Sequence, residues 1–259
     1  MQCQQFTKRD LDFFLSVLSK ILNFNLQDLL DLQALRNESF GRLWTECGAI
    51  LSHEMPEPLY PLMKNIRGVV LDVGPGSGEQ LHLFPAENIE MVYGVEPTVS
   101  LHAELLRNAE KAGLGNKYRI LAAGAQKESL IPALAKEGLL EGGNGEVFDA
   151  IACIRVLCGV PNVQDTTSTL YSLLKPGGKM IVCEHVVNNR SIFARAMQWF
   201  WMKICRWSFW MGDCRLDQDT EQVLKKAAGK EGWEEEKYWG IARSWHVVPN
   251  LVADLVKRG

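Results

Sequence analysis

The run Val69-Val70-Leu71-Asp72-Val73-Gly74-Pro75-Gly76-Ser77-Gly78 constrains this chain more than any other stretch. Apolar residues characteristic of a buried strand lead through an acid into three alternating glycines. Glycine accepts backbone angles that a Cβ forbids and lets the main chain approach a ligand closely. The pattern predicts a strand, a tight ligand-binding turn and a helix beginning near Glu79. Its G-x-G-x-G spacing differs from the G-x-G-x-x-G turn that seats a pyrophosphate on a helix N-terminus, so a nicotinamide dinucleotide is disfavoured.

Short apolar runs recur downstream at Met91–Val95, Tyr118–Ala122, Ala150–Ile154 and Lys179–His185, separated by helix-length stretches. With Val69–Val73 they predict an α/β fold with a doubly wound parallel sheet. Asp217–Gly229 reads as a helix, and Trp233–Trp239 with Leu251–Val256 as a terminal strand pair. Upstream, residues 8–35 carry apolar positions at helical spacing, and a second helix is expected over Leu29–Ile50. Pro56, Pro58 and Pro61 then break the chain. The expected division is a helical lid or extension over residues 1–65 and a main domain over 66–259, with a substrate-binding insertion at about 188–216.

Glu96 stands at the end of the second strand, 18 residues after Gly78. There a carboxylate can accept hydrogen bonds from both hydroxyls of a ribose. Asp72, the three glycines and Glu96 together suit a nucleoside without phosphates. S-adenosylmethionine (SAM) is such a ligand, carrying a sulfonium, an amino-acid end, a ribose diol and an adenine.

The 259 residues carry a net charge of −3 and no long basic run, which argues against nucleic acid as substrate. Seven cysteines, odd in number and scattered through segments that read as helix or strand, suit reduced thiols and a cytoplasmic setting. No apolar window long enough to span a bilayer and no signal-peptide pattern is seen. Trp199–Met211 concentrates four of the eight tryptophans with Lys203 and Arg206 between them. Three readings stay open for it: ordinary packing, an aromatic wall for a lipophilic acceptor, or a helix lying on a membrane surface.

Leu71–Gly78, the Gly94–Pro97 turn, Phe148-Asp149 and the Leu174–Gly178 turn resemble the class I SAM-dependent methyltransferases, over about residues 66–256. More narrowly, Val156–Val160, Ala122–Gly124, Glu184–Val186 and Gly212–Cys214 resemble the animal methyltransferase-like proteins that methylate thiols at the endoplasmic reticulum, relatives of the quinone-biosynthesis methyltransferases. The resemblance implies a seven-stranded sheet with its last strand antiparallel, SAM as cofactor and S-methylation of a small lipophilic thiol. O- or N-methylation is the alternative, and a non-catalytic SAM-binding protein whose N-terminal helices recruit a partner is a different class of reading.

Carried onto this chain, the likeness places Gly74, Pro75, Gly76, Ser77 and Gly78 at the methionine end of SAM with Asp72 behind them, and Glu96 and Pro97 at the ribose. It places Gly124, Ala125 and Gln126 beside adenine, and Cys153, Arg155 and Leu157 near the sulfonium. Many relatives have an acid for the adenine amine where this chain has Ala125 and Gln126. The relatives also begin with an apolar anchor, whereas this chain begins with a charged amphipathic region. A location free in the cytoplasm, or peripheral at an intracellular membrane, is therefore expected; the oligomeric state is left open.

A thiol of pKa ~8.5 is partly ionised at neutral pH and needs little help, whereas a phenol near ~10 needs a base. His185, at the end of the fifth strand, and Asp213 are the candidate catalytic residues; His246 is a weaker third. Cys183 and His185 share a strand face, which invites a metal site with Cys205 or Cys214. No tight Cys-x-x-Cys spacing supports one, and no metal is expected.

Overall fold

The computed structural model describes Gly41, Trp44 and residues 55–141, 145–241 and 245–259. The helices expected over 8–35 and 29–50 lie outside the described residues, except that Gly41 and Trp44 are helical.

Seven strands form one sheet in the order β3-β2-β1-β4-β5-β7-β6: β1 Gly68–Val73, β2 Ile89–Val95, β3 Tyr118–Leu121, β4 Phe148–Ile154, β5 Leu174–His185, β6 Glu235–Ile241 and β7 Asn250–Val256. β1 to β5 pair in parallel, and β7 runs antiparallel between β5 and β6. This is the seven-stranded class I methyltransferase sheet with an antiparallel last strand. β5 starts earlier than expected and takes in the Lys175–Gly178 turn.

Alternation along the strands sends successive side chains to opposite faces, and each face is buried. Leu71, Val73, Ile151, Cys153, Met180 and Val182 enter one core with Leu130 and Leu134 of helix Lys127–Lys136 (α3), Leu170 of Val163–Leu173 (α4) and Leu224 of Thr220–Ala227 (α7). Val70, Ala150, Ala152, Ile181 and Cys183 enter the other with Leu59 and Met63 of Leu59–Met63 (α1) and Leu105 and Ala109 of His102–Lys111 (α2). Helices thus cover both faces. The chain winds outward in opposite directions from β1 and β4, leaving a crevice at their carboxyl ends, the usual ligand position in such sheets.

One expectation is corrected. Residues after Gly78 form turns and a single 3-10 turn at Leu81–Leu83, not a helix. Pro85 and the early start of β2 at Ile89 leave no length for one. The 188–216 segment folds as Ile192–Lys203 (α5) and Trp207–Trp210 (α6). Among the described residues no helix is long and apolar enough to cross a membrane.

Candidate active site

At the carboxyl edge of β1, Gly74, Gly76 and Gly78 have φ of 65°, 60° and 85°, a region costly for any side chain. Space reinforces the requirement. A Cβ on Gly74 would collide with the Val156 side chain, and one on Gly78 would come within 2.9 Å of Leu105 Cδ1. The turn is held from behind by Asn108 of α2, whose amide donates to the Ser77 carbonyl at 2.8 Å. From the other side, the Trp44 indole donates to Glu79 at 3.2 Å and lies so close to Gly76 that a Cβ there would stand 2.6 Å from its Nε1.

Glu96 turns back to this loop. Its Oε2 accepts from the Gly76 amide at 3.0 Å and its Oε1 from the Thr98 amide at 2.8 Å. Burial raises its pKa, while the amide hydrogen bonds oppose the shift. A carboxylate offers about four lone-pair positions; the Gly76 and Thr98 amides and the Thr98 side chain take three, leaving room for a ligand hydroxyl. Asp72, one strand away, accepts from the buried Tyr118 hydroxyl at 2.9 Å. Desolvation pushes Asp72 up to about 7 against the pull of that hydrogen bond.

The loop after β4 is organised by a residue that the sequence places in a family motif without a role in the site. Glu184, wholly buried on β5, accepts from the amides of Val156 at 2.8 Å, Leu157 at 2.7 Å and Cys158 at 3.2 Å. Burial raises it to about 7, with the three amides opposing. Arg155 enters this loop at φ 57° with its amide donating to the Cys183 carbonyl at 2.7 Å.

These elements border one cavity of about 1040 Å³. Asp72, Gly74, Pro75, Gly76, Gly78, Glu96, Pro97, Gly124, Ala125, Gln126 and Arg155 line it, as do His185 and Asp213. Ser77, Cys153 and Leu157 do not: all three are buried, with Cys153 and Leu157 in the sheet core and the Ser77 hydroxyl bonded to Glu79. Ile154, at the end of β4, and Val156 and Cys158, in the turn that follows it and is held by Glu184, line the cavity instead. Gln126 folds back against Gly124, where any Cβ would collide with it. His246 is not among the lining residues; its carbonyl accepts from Asn188 at 2.8 Å.

Trp201, Trp207 and Met211 supply an apolar wall beside His185 and Asp213. The aromatic run is therefore divided, since Trp199 and Phe200 are exposed on the outer face of α5. The buried Gln198 fixes that division, donating to the Val186 and Val247 carbonyls at 3.0 and 2.9 Å and accepting from the Asn188 amide at 2.9 Å. His185 Nδ1 lies 3.6 Å from Cys214 Sγ, and Cys158 completes a tight group. A hydrogen bond from the Cys158 thiol, and then His185, hold the Cys214 thiol well below the usual thiol range. Cys183 is packed in the core below the sheet, and neither it nor Cys205 belongs to the group.

The cavity thus has a glycine-and-carboxylate end and a histidine, cysteine and tryptophan end, on a class I methyltransferase sheet. The family model described as "Methyltransferase domain" matches residues 29–247, and the chain belongs to that family. It is 25% identical to the human (Homo sapiens) thiol S-methyltransferase TMT1A over 162 residues, covering 61% of this chain and 59% of that protein. It is 24% identical over 179 residues to the thiol S-methyltransferase TMT1B of Rattus norvegicus, covering 67% and 66% of the two chains. The chain thus spans less than two thirds of the length of the first of these relatives. Among solved structures, an O-methyltransferase family protein from Burkholderia thailandensis superposes with a TM-score of 0.57 at 12% identity, over 88% of this chain and 60% of that one, a likeness of fold.

The glycine cradle fits the cofactor of this family. It has no Cβ where the backbone must be approached, and the Glu96 carboxylate at the end of the next strand lines the same cavity.

Proposed function

We propose that this chain transfers a methyl group from SAM to a small lipophilic acceptor, with a thiol as the preferred acceptor. The observation that carries the reading is the cavity that joins the glycine turn and Glu96 to His185, Asp213 and the tryptophan wall. Its volume of about 1040 Å³ is ample for a nucleoside and a second small molecule together.

SAM, when bound, supplies an electrophilic methyl on a good leaving group. Gly74, Gly76 and Gly78 then border its amino-acid end with Asp72 behind them, Glu96 takes the ribose, and Gly124, Ala125 and Gln126 flank the adenine. Val156 and Cys158, positioned by Glu184, face the reacting end. Trp201, Trp207 and Met211 exclude water and hold the acceptor in line for displacement, where positioning supplies most of the acceleration. His185 and Asp213 stand where an acceptor proton leaves. The thiol preference is supported by the names of TMT1A and TMT1B and by the modest demand a thiol makes on a base.

Methyl-labelled SAM offered with a panel of alkyl thiols, phenols and amines tests the reading. Labelled thioether is expected. Label in a phenol or amine and in no thiol contradicts S-methylation.

Helix α5 carries a second element of the reading. Ile192, Phe193, Trp199, Phe200 and Ile204 share one exposed face, with Arg195 and Lys203 on the same helix also exposed. Such a face suits peripheral contact with an anionic membrane surface. Sedimentation with anionic vesicles that weakens in Trp199→Ala/Phe200→Ala supports it; equal sedimentation of the variant contradicts it.

A further inference from the structure

We propose that Cys158, His185 and Cys214 form a three-ligand site for a thiophilic divalent cation, zinc by its donor set, with a fourth position open to the acceptor end of the cavity. Their ligand atoms all lie within 4.8 Å of one another, and His185 Nδ1 is 3.6 Å from Cys214 Sγ. Tetrahedral zinc, with bonds of about 2.3 Å to sulfur and about 2.0 Å to nitrogen, places neighbouring donors roughly 3.5 Å apart. Little movement is needed to close the group around an ion.

Two cysteines and a histidine are the donors of a site that keeps one position for a ligand, whereas closed structural sites use four. All three residues line the cavity, so that position faces the space assigned to the acceptor. Backbone contacts fix all three donors. The Cys158 amide is held by Glu184, His185 ends a strand paired to β7, and the Arg215 amide donates to the Cys158 carbonyl at 2.7 Å, tying the Cys214 segment to the β4 loop. Gly159 brings the two backbones together: a Cβ there would stand 2.8 Å from the Gly212 carbonyl oxygen.

Both cysteines bind the ion as thiolates, any proton still on them passing to solvent, with no change of oxidation state. The role of the fourth position rests on the S-methylation reading. There an acceptor thiol binds as thiolate, its proton passing to solvent. Its sulfur forms the new S–CH3 bond while the sulfonium C–S bond breaks and leaves its electron pair on the departing sulfur. His185 is then a ligand, and the cation takes the place of a base.

The test is titration of the full chain, stripped by chelator and kept under a phosphine reductant, with cobalt(II) chloride. A thiolate-to-cobalt charge-transfer band that saturates at one equivalent, is displaced by zinc, persists in Cys183→Ser and is lost in Cys158→Ser and Cys214→Ser is expected. A cobalt spectrum without that band in the wild-type chain overturns the site, as does a band that survives both substitutions. Ethanethiol is expected to shift the band; an unchanged band overturns the open position. Because cobalt is read without SAM, a failure of thiol methylation with the band intact overturns the acceptor reading and leaves the metal site standing.

Discussion

Tyr118, at the start of β3, reaches across β2 to donate its hydroxyl to Asp72 on β1 at 2.9 Å. It passes over Gly94, where a Cβ would collide with the phenol. The pairing Asp72↔Gly94↔Ile120 sets this path, so a glycine one residue before the end of β2 is required by a side chain on the neighbouring strand.

Asp72 therefore gives a pH signature. Its folded pKa of about 7 lies above its ordinary 3.8, so the folded chain keeps a proton that the unfolded chain has lost. The associated stability is present below about pH 4 and falls as pH rises through 7, by roughly 4 kcal/mol in all. Denaturant midpoints for wild type and Asp72→Asn across this window are expected to converge at low pH and to separate in favour of the amide variant near neutrality. Parallel curves would show that Asp72 does not carry the shift.

Gly94→Ala is expected to displace Tyr118 and strand a buried carboxyl, at a cost of about 1–3 kcal/mol read by thermal unfolding. Tyr118→Phe should cost a similar amount. If the tyrosine contact is the reason for the glycine, Gly94→Ala in the Tyr118→Phe background adds much less than it does alone.

Much of this was legible in the sequence and some was not, for identifiable reasons. The strands and the glycine turn show as apolar runs closed by residues that only a left-handed backbone requires. Glu96 shows because its distance from the turn is set by a short crossover. The Tyr118–Asp72 bond, 46 residues apart, depends on register across three strands, which no local pattern encodes. Glu184 inside a strand gives no sign that it will meet three amides. The helix expected near Glu79 failed because Pro85 and a short connection outweigh the usual order of strand, turn and helix. The tryptophan run could not be assigned to one role because its residues divide between the cavity wall and the outer face of α5, with Gln198 anchoring the helix between them.

Glu184→Gln preserves shape but replaces one acceptor oxygen with an NH2 that faces amide donors. Loss of about 2–4 kcal/mol is expected, with a larger fall in cofactor affinity than Asp213→Asn produces. Chemical denaturation and calorimetric titration with S-adenosylhomocysteine check both parts. An unchanged variant would mean that the β4 loop holds its shape without the carboxylate.

Trp44 packs on Gly76 and bonds Glu79. Trp44→Ala is expected to leave stability within about 1 kcal/mol and to weaken S-adenosylhomocysteine about tenfold by uncovering the glycine turn. Equal affinity would separate the N-terminal region from the cofactor end of the cavity.

Cofactor recognition by the glycine turn and Glu96 is tested most directly by titration calorimetry with S-adenosylhomocysteine on wild type, Gly76→Ala and Glu96→Ala. Saturable binding of one equivalent to the wild-type chain, weakened at least about tenfold in both folded variants, is the expected result. No binding to the wild-type chain at millimolar ligand, or equal affinity in all three proteins, would contradict it.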